Sequence, residues 1–150
     1  MSPRSFFLWT CLFVAATGWA RTEPTVYVTF DKSDAVSEQK RRDLADSAQD
    51  LREQLGKRDG VRAAEDERHA DVRVTILDRR LEVNESGRND WGGALSQTHY
   101  QSRYIVFFRF ESDELMEESE IALAGAFVTW KRVAGVLAKD VEEWALNRRR

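Results

Sequence analysis

Tyr104-Ile105-Val106-Phe107-Phe108-Arg109-Phe110 is a seven-residue run that is apolar at both odd and even positions, broken only by Arg109. A strand with one wet face alternates apolar and polar side chains, so a run apolar on both sides belongs inside a sheet with cover for both faces. The rest of the chain must therefore supply neighbouring strands and a packing layer.

Other segments fit those roles. Val26, Val28 and Phe30 alternate with Thr25, Tyr27 and Thr29, the pattern of a half-buried strand. Val61–Ala64 reads as a short strand, and Val72, Val74 and Ile76 share one face of another. After Asp78 the apolar positions change parity to Leu81 and Val83, which predicts a bulge or bend near Leu77–Arg80. Residues 112–119 are acidic and turn-like, and Glu120–Ala124 reads as a last edge strand ending at Gly125; a helix from Glu120 is the alternative.

Two segments have helical period. From Ser37 to about Leu55, residues Leu44, Ala48, Leu51 and Leu55 form one stripe, with Gly56 and Gly60 as stops. From about Val128 to Asn147, residues Phe127, Trp130, Ala134, Leu137, Val141 and Trp144 form another, flanked by Val133 and Val136. The predicted class is α+β, order β-α-β-β-β-β-α. One mixed or mainly antiparallel sheet carries two helices on the same face. Asn84–Gln101, with three glycines and many polar residues, reads as a long loop.

Composition narrows the class further. With 150 residues, 33% charged and 42% hydrophobic, the chain suits one domain and neither a multi-span membrane protein nor a disordered one. A net charge of -3 gives no positive field for nucleic acid. Arg4, an apolar run from Phe6 to Ala16 and the small residues Gly18 and Ala20 have the form of a secretory signal peptide over residues 1–20, cut after Ala20. Trp9 and Thr10 are too bulky for a lipidation site at Cys11. Loss of Arg4 takes the net charge from -3 to -4, and loss of Cys11 leaves residues 21–150 without a thiol. The expectation is a bacterial exported protein, periplasmic or extracellular, with no transmembrane span after cleavage. Residues 21–150 would form a single α+β domain interrupted by the loop 84–101.

Few residues are arranged for chemistry. Glu65, Asp66, Glu67, His69 and Asp71 are dense in carboxylates and imidazole, making His69, Asp71 and Glu67 candidate metal ligands. No ligand spacing accompanies them, and a solvated turn explains the same residues. His69 and His99 are candidate general bases, but no serine sits in a Gly-x-Ser-x-Gly elbow. No phosphate-cradling glycine order is present, and no cofactor is expected. Asn89-Asp90-Trp91 in the loop is a candidate binding site, since an indole there could stack on or anchor a partner; a lid folded over the sheet is the other reading. Arg109 is a further candidate binding residue, since it must reach water or an acid, with Glu111, Glu120 and Asp71 as candidate partners. Trp130 and Trp144 read as core, and Arg148–Arg150 as a solvated helix end.

Three stretches together resemble a set of small exported bacterial proteins of unknown function. They are Thr25–Phe30, the Leu44-Ala45-Asp46-Ser47…Asp50-Leu51 helix followed by Ala70-Asp71-Val72, and Trp130…Ala134…Val141…Trp144. The helix followed by Ala-Asp and a hydrophobic strand also looks like the α/β envelope modules of the TolB N-terminal and curli-secretion type. That likeness implies binding of envelope components rather than catalysis. The expectation is an exported non-enzymatic binding or scaffolding domain whose partner is an envelope protein or a small ligand. The alternative is a small hydrolase using His69 or His99 with nearby carboxylates.

Overall fold

In a computed structural model, residues 23–89 and 97–147 are described, with backbone alone for 84–89 and 97–100. The N-terminal segment read as a signal peptide and the tail Arg148–Arg150 lie outside the described residues. The elements are β1 (Thr25–Phe30), α1 (Glu38–Leu55), β2 (Arg62–Ala63), a 3-10 turn (Glu67–His69), β3 (Val72–Asn89), β4 (Gln97–Glu111), β5 (Met116–Ala124) and α2 (Trp130–Asn147). The five strands form one mixed sheet in the order β2-β1-β3-β4-β5. β1 runs parallel to β2 and β3, while β3–β4 and β4–β5 are antiparallel. The architecture is the α+β order expected.

The apolar stripes of the two helices and the alternate residues of the strands meet in one core. Leu44, Ala48, Leu51 and Leu55 of α1 and Val133, Leu137, Ala138 and Val141 of α2 pack on Val26, Val28, Val74, Ile76, Val106 and Phe108. α1 starts where Ser37 caps it: its hydroxyl accepts from the Lys40 N–H at 3.3 Å. Its end is at Gly56, whose N–H donates to the Arg52 carbonyl at 3.0 Å.

The parity change in β3 is a bulge. Ile76 faces Phe108 and Asp78 faces Phe107, so Leu77 is the extra residue. Arg79 is thereby opposite Val106, on the side of the helices. β4 is apolar on both faces, as read, but its two faces are covered differently. Val106, Phe108 and Phe110 lie under the helices. On the other face the Arg80 guanidinium stands 5.0 Å over the Phe107 ring, and Ile105 is 5% exposed without a helix above it.

Four boundaries differ from the expectation. The stretch 84–101 is not a loop throughout: Asn84–Asn89 pair with Gln97–Gln101 across β3 and β4. Polar, glycine-containing residues do not bar a ladder whose hydrogen bonds are made by the backbone, and a second register shift at Glu85/Gly87 takes up the irregularity. β5 begins at Met116, four residues before the predicted Glu120, because Glu117 and Glu118 continue the pairing with Phe110 and Arg109. The short strand read over Val61–Ala64 is confined to Arg62–Ala63. α2 begins at Trp130, with the Arg132 N–H on the Thr129 hydroxyl at 3.3 Å. Phe127 therefore stands before the helix, 88% exposed, and is no part of the stripe. Gly125, at φ +147°, ends β5 in backbone that a residue with a Cβ rarely adopts.

Candidate functional site

The ends of β1, β3, β4 and β5 that meet at one rim of the sheet carry most of the polar residues singled out in the sequence. Asp71 opens β3 and holds the start of β1. Its carboxylate accepts from the Thr25 N–H at 2.7 Å and the Thr25 hydroxyl at 2.8 Å, and its own N–H donates to the Thr25 carbonyl at 2.9 Å. Glu67 of the 3-10 turn pairs with Arg73 of β3. Arg73 in turn reaches Glu111 at the end of β4, Nη1 to Oε2 at 3.5 Å, where Thr75 Oγ1 also approaches at 3.5 Å.

His69 is 82% exposed and its Nδ1 lies 3.4 Å from an Asp66 carboxylate oxygen. The hydroxyl that reaches this turn, that of Thr25, shares its one hydrogen between the His69 backbone carbonyl at 2.9 Å and the Asp71 carboxylate at 2.8 Å and does not direct it at the imidazole. The three candidate metal ligands thus have separate engagements: His69 with Asp66, Glu67 with Arg73, Asp71 with Thr25. Among the described residues no group of three or more histidine, cysteine or acidic side chains is placed to hold a metal ion.

These residues border a cleft of about 470 Å³ between the start of β3 and the β4–β5 turn. Glu67, Asp71, Glu111, Asp113 and Glu114 line it, with Arg73 the one cation and Leu115 and Met116 at its side. Arg73 offsets part of the charge of Glu67 and Glu111, while Asp113 and Glu114 stand exposed at the turn. The turn is held by the Ser112 N–H on the Leu115 carbonyl at 2.9 Å. Such a site attracts ammonium or guanidinium groups; it has no base among its lining residues beyond carboxylates, and His69 is not part of it.

Arg109 resolves differently from the sequence candidates. Its Nε donates to Glu118 Oε1 at 2.9 Å, and this hydrogen bond raises the guanidinium pKa above its ordinary value. The partner is Glu118, rather than Glu111, Glu120 or Asp71, because the early start of β5 sets Glu118 directly opposite Arg109. The early start of β5 was the missing signal. Trp144 stacks on Phe110 with ring centroids 4.9 Å apart, and its Nε1 donates to Glu117 at 3.1 Å, so it is half core and half edge.

Of the binding candidates in the hairpin, Asn89 ends β3, while Asp90 and Trp91 lie outside the described residues. The backbone of His99 lies in β4, opposite Gly87. Sequence reading missed Arg79. Its guanidinium is 13% exposed, pairs with Asp43 at 2.7 Å, donates to the Ser47 hydroxyl at 3.2 Å and stands 4.7 Å over the Trp130 ring. The parity change was the available signal, since one bulge turns Arg79 from the open face to the helices.

No family model matches the chain, and no curated protein matches it. The likeness to TolB N-terminal and curli-secretion modules gains no support from these comparisons. Among solved structures, the chain is similar to a minor lipoprotein from Acinetobacter baumannii, at 16% identity and a TM-score of 0.47 over 83% of this chain and 94% of that one. It is also similar to uncharacterized lipoprotein B from Nitrosomonas europaea, at 12% identity and a TM-score of 0.45 over 81% of this chain and 72% of that one. Likeness at this level carries neither a family nor an activity to this chain.

Proposed function

We propose that the protein is an exported, non-enzymatic binding or scaffolding domain of the bacterial envelope, whose partner is bound at the residues joining β3 to β4. The observation that carries this reading is the extent of that hairpin. β1 ends at Phe30, opposite Ile76, and β5 ends at Ala124, opposite Arg103. From Val83/Ser102 to Asn89/Gln97 the two strands continue as a ribbon with, among the described residues, no third strand beside them. A ribbon built beyond the sheet supports the residues that join its strands, and in this reading Asn89, Asp90 and Trp91 form the partner's site, with the indole as its anchor. Among the described residues no helix is long and apolar enough to cross a membrane. The N-terminal signal-peptide pattern and the likeness to envelope modules belong with this reading, which places the protein in the periplasm or outside the cell.

Recovery of partners from envelope extract tests it. Trp91→Ala should lose the proteins that the wild-type chain retains, with an unchanged circular dichroism spectrum and melting curve. Equal recovery by both chains overturns the role of the hairpin.

A further inference from the structure

The rim of the sheet opposite β2 is formed by β5, nine residues long and, among the described residues, paired on one side alone, to β4. Every residue from Met116 to Glu120 is exposed. A strand of this length with an unpaired side is a template for another strand, because alternate backbone N–H and C=O groups point outward. Its chemistry is unusual in being acidic on both faces. Glu117 lies on the side of the helices, at Trp144, while Glu118 and Glu120 lie on the open face opposite Arg109 and Phe107. The acidic cleft adjoins this strand directly, since Met116 belongs to both.

We propose that the outer edge of β5 binds an extended, lysine- or arginine-rich segment of a protein partner as a sixth strand, with a basic side chain entering the cleft at Asp113 and Glu114. Charge selects the occupant. Carboxylates on a free edge repel an acidic strand, including β5 of a second copy, and so protect the edge from self-association. The same carboxylates attract a cationic strand: on each face a residue of the added strand lies beside a residue of β5, about 5 Å away. Alternation in the added strand would place its cations beside Glu118 and Glu120. This surface is separate from the hairpin residues Asn89, Asp90 and Trp91, so the two readings stand or fall independently.

The probe is an acetylated, amidated peptide of four Lys-Val repeats, with a Lys-Pro peptide of equal charge as control. Proline cannot donate to a ladder, so the control keeps the charge and loses the strand. Added to ¹⁵N-labelled protein at low salt, the Lys-Val peptide should slow exchange of alternate β5 amides about tenfold or more, the scale of a newly closed hydrogen bond. The control should leave those amides unchanged. Glu120→Lys should weaken binding of the Lys-Val peptide, and Trp91→Ala should leave it intact. Equal effects of the two peptides would reduce the surface to a diffuse acidic patch and overturn the proposal, as would absence of protection at β5. Should Glu120→Lys bind the peptide as tightly as wild type, charge selection is refuted.

Discussion

Asp78 follows the bulged residue of β3 and takes two cations at once. Lys40 Nζ lies 3.0 Å from its Oδ1, and Arg80 Nε donates to its Oδ2 at 2.9 Å. Burial pushes the carboxyl pKa up, but the hydrogen bonds from Lys40 and Arg80 outweigh burial and hold it below the ordinary aspartate value. A carboxylate depressed in the folded state stabilises the fold above its unfolded value, near 3.9, and loses that contribution as pH falls through the folded one. Asp78→Asn should therefore lower the melting temperature at pH 7 by the equivalent of about 1 kcal/mol, since Lys40 is partly solvated. The gap to wild type should close as melts are repeated below about pH 3.9. A gap unchanged down to pH 2 would mean that Asp78 acts through packing instead of charge. Arg79 makes a second residue-scale case. Lysine at this position keeps the charge toward Asp43 but has no planar group to lie over Trp130 while also reaching Ser47. Arg79→Lys should cost about 1 kcal/mol in urea unfolding, and an unaltered midpoint would show that the stack over Trp130 contributes nothing.

At the scale of elements, the β3–β4 hairpin divides into two parts of unequal support. From Val72 to Arg79 alternate residues of β3 lie under the helical layer, with β1 alongside as far as Ile76, while Leu81 is 50% exposed. From Val83 to Asn89 the hairpin is, among the described residues, two strands alone, and Val83 is 56% exposed. Seven residues extend about 24 Å, and a two-stranded ribbon of that length is marginal without a packed face. Amides of Asn84–Arg88 and Thr98–Ser102 should exchange orders of magnitude faster than those of Val74 and Phe108, whose opening requires global unfolding. Equal protection along the whole hairpin would mean that something covers the ribbon. This element was also the least legible in the sequence. Periodicity identified β1, α1, the buried parts of β3 and β4, and most of α2, because burial writes a pattern of two or 3.6 into side chains. Strand segments that bury nothing carry no such pattern. Asn84–Asn89 and Met116–Ser119 pair through backbone ladders, the latter with every residue exposed, and read as loop and turn. Phe127 shows the converse error: apolar and in phase with the α2 stripe, it precedes the capping Thr129 and faces water. The partner of Arg109 was hidden for the same reason as the start of β5, since a cross-strand contact follows register. The cleft at Asp113 and Glu114 brings together turns distant in sequence.

The molecule as a whole has its core on one side of the sheet. Residues from β1, β3, β4, β5 and both helices join a single buried cluster, and α1 and α2 touch each other as well as the strands. Leu51 and Leu137, one on each helix, are 0% and 2% exposed. Arg58 of the loop after α1 reaches the Gly135 carbonyl of α2 at 3.1 Å, and the Gly60 N–H reaches Glu142 at 3.0 Å, so polar links span the helix pair too. With one cluster shared this way, neither helix has a separate set of contacts on which to remain folded when the other leaves. Unfolding should then be a single transition with the same midpoint by far-UV circular dichroism, which reports all elements, and by tryptophan fluorescence, to which Trp130 and Trp144 of α2 contribute. Leu51→Ala empties a buried site on α1 at a cost of about 2–5 kcal/mol. It should shift both curves together although Leu51 lies on the helix without tryptophan. If the dichroism midpoint falls while the fluorescence midpoint stays in place, α2 and its strands hold a core of their own, and the shared cluster is two adjoining ones.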